Sequence, residues 1–315
     1  MNEIAEKRIS SEICRTIRDG NVVYEKRYVT NDWDDDVDLI LCRAKREVSL
    51  LAQMAESRGF TSRLGVVRVA AVNADEAMIA THEIKGVTLG DFIRMGTDRT
   101  TNLTPWFLAG RWLRKFQSMS LSVQKRLPTS KNDPADIVEY CDLRLRSLSD
   151  YGYRWPKPSI RNTLLRKIAN LKDRSHKTDS VWVHADYSPG NLMWDGHALT
   201  PIDFAMARAG LPLDDATYLI HRIEMQRVYR PWLKLPVAAI RRAILRGLGV
   251  PKADQSADYQ MLMIKHQICR LHTYVRRPAS TFKQSIHDRW VRMVLKQRLQ
   301  RATKPDLLTN NGNTL

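Results

Sequence analysis

The sequence is short of cysteine, glycine and acidic residues, and it has no long apolar run. Its four cysteines, Cys14, Cys42, Cys141 and Cys269, lie far apart and form no CxxC pair. That spacing argues against a zinc site and a disulfide framework, and leaves reduced, mostly buried thiols. No window approaches the roughly 18 consecutive apolar residues that a membrane helix needs. The opening residues 1–13 lack an apolar signal core, so they read as the mature start of a cytoplasmic protein. Glycine is scarce at the front as well: Gly20 is the only one before Gly59.

What is present bounds the class. With 315 residues and a 43% hydrophobic fraction, the chain can bury one large core or two modest ones. Its net charge of +17 is concentrated late: residues 221–304 hold 19 Lys or Arg against Glu224, Asp254, Asp258 and Asp288. Such a face attracts phosphate-rich partners, whether nucleic acid, anionic lipid head groups or a polyanionic acceptor, unless it is only a set of solvated helix faces. Leu235 to Leu248 mixes apolar and Arg positions and reads as an ordinary amphipathic helix, with a membrane-surface helix as the competing reading. The acidic run Asp32, Asp34, Asp35, Asp36 and Asp38 lacks the glycine and terminal glutamate of a calcium loop, and is expected to be solvated.

Periodicity gives the outline. Strands are expected over residues 9–17 and 22–29 around an Asp19-Gly20-Asn21 turn, then a helix over 43–58 and strands over 66–72 and 77–83. After Lys85-Gly86 the texture turns helical, with helices over 89–95, 105–119, 135–149 and 160–173. A short strand at 181–183 leads into a polar loop, and strands at 192–194 and 200–204 flank Asp195-Gly196. Helices are expected again from Leu213.

Two nearby segments carry the chemistry: His184-Ala185-Asp186-Tyr187-Ser188-Pro189-Gly190-Asn191, then Ile202-Asp203-Phe204. Phosphoryl transfer needs a carboxylate to orient and deprotonate a hydroxyl, plus oxygen ligands for magnesium on the triphosphate. Asp186 suits the base. Asn191 can turn its amide oxygen toward a metal, and Asp203 can bridge that metal to the phosphates.

This pair of segments resembles the catalytic loop and metal-binding strand of the aminoglycoside phosphotransferase and choline kinase superfamily. The resemblance runs from about Val22 to Leu219. It implies an α+β, two-lobed protein-kinase-like fold, with a small antiparallel-sheet N-lobe over 1–86 and a larger helical C-lobe over 87–302; the composition of 303–315 reads as a disordered tail. It further implies Lys26 as the phosphate lysine, Glu47 as its ion-pair partner, and His82 and Ile84 as backbone contacts for adenine. His184 and Asp215 would brace the catalytic loop. The cofactors implied are ATP, with GTP as the alternative, and Mg2+.

The expected activity is therefore phosphorylation of a hydroxyl on a non-protein acceptor: a sugar, a phosphorylated metabolite or a lipid-linked glycan. A polycationic antibiotic would prefer an acidic pocket. Peripheral contact with an anionic membrane at the inner face is left open, and nucleic acid is disfavoured because no motif for it is present. Two departures stand out. Only 25 residues precede Lys26, so a thin hairpin is expected over the nucleotide, and the metal strand reads Asp203-Phe204-Ala205 without a closing glycine. The rival readings are a kinase-shaped scaffold with a basic docking face and a nucleic-acid-binding protein.

Overall fold

The computed structural model describes residues 3–7, 11–30, 37–73, 75–96, 101–121, 136–155, 159–175, 179–277 and 281–304. The acidic run at 32–36 and the tail from 305 lie outside these residues. The described chain divides into two compact units: Met1–Ser130, Thr178–Ile223 and Leu233–Ala253 form the first, and Lys131–Lys177, Glu224–Trp232 and Asp254–Leu315 the second.

The first unit opens with three strands, β1 (Glu3–Lys7), β2 (Ser11–Arg18) and β3 (Asn21–Tyr28). Helix α1 (Val37–Glu56) and strands β4 (Val69–Asn73) and β5 (Met78–His82) follow. The five strands form one antiparallel sheet in the order β1-β2-β3-β5-β4. The expected thin hairpin is joined by a further strand: β1 and β2 both precede the strand that carries Lys26. The first strand, Glu-Ile-Ala-Glu-Lys, does not alternate and is too short to give a strong strand signal. Helix α1 begins six residues earlier than expected, with Asp38 in its first turn, where a negative charge complements the helix dipole. It lies against β3, β4 and β5, and Ile40 and Ala44 pack with Tyr28 and Ile79.

Beyond Gly86, β6 (Val87–Thr88) leads into α2 (Leu89–Arg94), whose N-cap Thr88 accepts from the Asp91 N–H at 3.0 Å. Helix α3 (Thr104–Gln117) buries Trp106, Trp112, Leu113 and Phe116 along one face. In the second unit, α4 (Ile137–Asp150) and α5 (Ser159–Asp173) follow.

The chain then returns to the first unit with β7 (Val181–Val183), β8 (Leu192–Trp194), β9 (Leu199–Pro201) and β10 (Arg208–Gly210). Strand β7 pairs with β10, and β8 lies between β6 and β9. Helix α6 (Asp214–Tyr229) follows, with its residues through Ile223 in the first unit.

Helix α7 (Val237–Leu248) lies across α3 and buries Ile240, Ile244, Leu245 and Leu248, so its apolar face belongs to the core. The helices touch at glycine. A Cβ on Gly110 would stand 2.0 Å from the Ile244 carbonyl oxygen, and one on Gly247 would stand 2.1 Å from that of Phe107. Backbone meets backbone at this crossing, and no side chain fits between.

In the second unit, α8 (Ala257–Arg276) packs against α4, α5 and α9 (Phe282–Ala302). Helix α9 buries Val291, Leu295 and Leu299 on one face and exposes Phe282, Ile286, Trp290 and Met293 on another. On α8, His272 is buried, with its Nε2 3.0 Å from the Ser147 hydroxyl. Burial, reinforced by the charges of Arg144 and Arg276, lowers its pKa to about 4.

This sets a pH-dependent stability. Between pH 4 and about 6.5 the unfolded chain binds a proton at His272 that the folded chain refuses. The stabilisation is complete above the unfolded pKa and is lost as pH falls toward 4. Through that window, wild type should lose about 1.4 kcal/mol per pH unit relative to His272→Gln in urea titrations. A difference that stays flat with pH would remove His272 from the acid response.

Candidate active site

Strand β3 pairs with β2 and β5 and points Lys26 to the same side as Tyr24 and Tyr28. The Lys26 ammonium lies 2.5 Å from Asp203 Oδ1 and 3.3 Å from Glu47 Oε2. Glu47, delivered by α1, also accepts from the Tyr28 hydroxyl and from the Phe204 backbone N–H at 2.9 Å. One glutamate therefore ties the sheet, the helix and the segment after β9 together. Burial alone would lower the Lys26 pKa, but Glu47 and Asp203 outweigh it and hold the ammonium above its ordinary value. Burial pushes the Glu47 carboxyl upward, with Lys26 opposing.

Asp203 is not in a strand, since β9 ends at Pro201. It adopts a left-handed backbone, φ 67°. A second left-handed residue, Ala185 at φ 63°, lies in the loop after β7. Asp215, buried at the start of α6, accepts from the backbone N–H groups of His184 at 2.6 Å and Ala185 at 2.9 Å. This carboxylate clamps the turn that a β-carbon disfavours. Burial raises the Asp215 pKa to about 7 against the pull of those two donors. Asp215→Asn keeps one acceptor and turns an amide N–H2 toward the other donor. We expect it to cost about 1–3 kcal/mol in a urea melt and to slow turnover. Unchanged stability and turnover would show that the loop holds its own shape.

The His184 ring is fully buried. Its Nδ1 accepts from the Asp186 N–H at 3.4 Å, so Nε2 carries the proton and donates to the Ile202 carbonyl at 3.0 Å. Burial lowers its pKa to about 4, leaving it neutral near pH 7. The ring bridges the two motif segments and packs 4.6 Å from the Phe204 ring. Beneath lies an aromatic stack in which Trp112 meets Phe116, Tyr187 and Phe204. The Tyr187 hydroxyl is anchored on the Ala109 carbonyl at 3.0 Å.

Asp186 is held from both sides. Tyr218 on α6 donates to Oδ1 at 3.1 Å, and the Asn191 amide donates to Oδ2 at 2.9 Å and to the Asp186 carbonyl at 3.0 Å. Burial and the charge of Asp203 raise its pKa, while Tyr218, Arg222 and Asn191 act against the rise. The Arg222 guanidinium lies 6.0 Å from the Tyr218 ring centroid, one helical turn along.

Lys26, Glu47 and Asp203 stand together in a cavity of about 370 Å³ whose walls include Ile13, Tyr24, Ile79, Met193 and Ile202. His82 and Ile84 line the same cavity. The His82 N–H donates to the Arg68 carbonyl at 2.9 Å. Asp186, Asn191, His184 and Asp215 form the neighbouring loop cluster. Among the described residues no group of three His, Cys, Asp or Glu converges as a metal cage.

Tyr28 and Tyr218 complete the cluster beside Arg222, and neither tyrosine was singled out as a site residue in the sequence. Tyr28 could have been found by alternation, two positions after Lys26. Tyr218 lies three positions after Asp215, hence on the same helix face, but nothing local names its partner.

Solved structures with this fold include aminoglycoside phosphotransferase APH(2'')-Ib with ADP bound. It is 16% identical, with 95% of this chain and 93% of that one covered and a TM-score of 0.60. A thermostable mutant of aminoglycoside phosphotransferase APH(4)-Ia, in ternary complex with AMP-PNP and hygromycin B, is 14% identical. There the coverage is 96% and 92%, and the TM-score is 0.63. A choline/ethanolamine kinase family protein from Mesorhizobium loti is 12% identical, with coverage of 97% and 89% and a TM-score of 0.62. These likenesses establish the kinase-like α+β fold. No curated protein sequence matches. The phosphotransferase enzyme family matches residues 17–257, well over half the chain, and the protein belongs to that family.

Proposed function

We propose that this chain transfers the γ-phosphoryl group of ATP to a hydroxyl of a small, non-protein acceptor, with Asp186 as the base. The observation that carries the reading is the convergence of Lys26, Glu47 and Asp203 in one cavity beside the doubly anchored Asp186.

In this reading the apolar walls hold the nucleoside, with the His82 carbonyl and the Ile84 N–H facing adenine. Lys26, kept charged by its two carboxylates, binds phosphate oxygens. Asn191 commits its amide N–H2 to Asp186, which leaves its carbonyl oxygen for a cation, and Asp203 adds a carboxylate. This oxygen pair suits Mg2+, which is held by few protein ligands together with phosphates. Bound there, magnesium would neutralise charge on the transferring group. The acceptor oxygen bonds to the γ-phosphorus as its proton passes to Asp186, and the bond to ADP breaks.

Arg222 acts on the charge of Asp186 from the α6 side. A cation there favours an acceptor with an anionic group, such as a phosphorylated sugar or a lipid-linked glycan, over a polycation. The cytoplasm supplies Mg-ATP and is where we place the enzyme.

The test is calorimetric binding of Mg-ATP, with Mg-GTP in parallel, to wild type, Lys26→Ala and Asp203→Ala. A panel of neutral, anionic and cationic alcohols would then be screened for turnover. Binding that weakens in both variants supports the reading. Absence of binding to either nucleotide would sink it.

A further inference from the structure

A second basic cleft lies in the first unit over the crossing of α3 and α7, and it shares no lining residue with the nucleotide cavity. Two adjoining hollows of about 670 and 390 Å³ meet at Phe107 and Arg246. Arg63, Arg242 and Arg246 line the first, and Arg111, Arg114, Lys115 and Arg246 line the second. Among the described residues none of these six cations forms an ion pair with a carboxylate. The floor is apolar or bare backbone, formed by Leu103, Phe107, Ala243 and Gly247.

An ordinary solvated face would mix both signs. Here the three contributing segments, 57–73, 103–118 and 233–253, contain no Asp or Glu at all. The chain as a whole carries 34 acids in 315 residues, a density that would put roughly six in segments of that combined length. Six cations held around a concavity without a counter-charge repel one another, and that repulsion is relieved when an anion enters. Five of the six are arginine, whose planar fork matches two oxygens of a phosphoryl group. The crossing is also stiff, because the helix backbones touch at Gly110 and Gly247 and fix the spacing of the cations.

We infer that this cleft binds a small ligand carrying two or more phosphoryl groups, its organic part resting on Phe107. A free oligophosphate and a phosphate-bearing lipid headgroup share that chemistry.

Tripolyphosphate is titrated by calorimetry into the full chain at physiological salt. Lys26→Ala, which removes the phosphate lysine of the nucleotide cavity, should still bind it saturably, and the same chain also carrying Arg114→Gln/Arg246→Gln about tenfold or more weakly. Circular dichroism of the double variant checks that it is folded. An Arg289→Gln/Lys296→Gln double variant in the same background removes the same charge on α9 and should bind as Lys26→Ala does. Loss of binding in Lys26→Ala, equal weakening in both double variants, or no saturable binding would overturn the assignment. Vesicles of phosphatidylinositol bisphosphate in phosphatidylcholine, whose headgroup carries several phosphates, separate the sources. Binding that needs Arg114 and Arg246 points to a headgroup, whereas tripolyphosphate binding without vesicle binding points to a free oligophosphate. Single-stranded RNA bound more tightly than tripolyphosphate through the same arginines would transfer the surface to nucleic acid and overturn the small-ligand assignment.

Discussion

Asp186→Asn is expected to slow phosphoryl transfer by about 10²- to 10⁴-fold while nucleotide affinity changes little. Asparagine keeps the shape of the side chain but cannot take the proton of an attacking hydroxyl. It also turns an N–H2 toward one of two groups that now donate, Tyr218 to Oδ1 and Asn191 to Oδ2. The tyrosine hydroxyl can reverse and accept, but the Asn191 amide nitrogen cannot, so the variant is expected to place its oxygen toward Asn191. Lys26 makes its ion pairs with Glu47 and Asp203 and none with Asp186, which is why binding should survive. Single-turnover measurements at saturating nucleotide would separate the chemical step from binding. A rate within tenfold of wild type would remove Asp186 from the role of base.

Gly247→Ala should destabilise the first unit by about 1–3 kcal/mol or more, against the propensity rule. In an exposed helix the same change gains about 1 kcal/mol, because alanine loses less backbone entropy on folding. At Gly247 the new methyl would meet the Phe107 carbonyl oxygen at 2.1 Å and the Arg111 nitrogen at 3.0 Å, atoms that cannot swing aside. Helices α3 and α7 would have to part, loosening Trp106, Trp112 and Ile244, which are buried on them. Gly110→Ala meets the same obstacle from the other helix, with the Ile244 carbonyl oxygen at 2.0 Å. Urea unfolding of the two single variants would measure the cost. A midpoint at or above wild type would mean that the helices separate freely.

The site was more legible in the sequence than its supports were. The segments at 184–191 and 202–204 put several groups able to hold a metal or take a proton beside short apolar strands, a density that core packing does not require. Lys26 and Glu47 were implied by the family resemblance, on order and local context, and the strand and helix that carry them fix which way each side chain points. Tyr218 could not, since its partner lies 32 positions away and only folding brings them together. Strand β1 was missed because five residues of mixed charge carry almost no period. Helix α9 was weakly written for another reason: apolar residues on two faces cancel the one-sided pattern by which a helix is recognised. Gly110 and Gly247 each read as a mild helix defect, and their meaning lies in the pair.

Ala185 and Asp203 each adopt a left-handed backbone that glycine would occupy with less effort. Ala185→Gly would relieve the backbone, and Asp203→Asn would suit it while removing a negative charge that Asp186 and Glu47 both feel. Residue 203 therefore combines a disfavoured backbone with a charge its neighbours respond to, and exchanging it alters both at once.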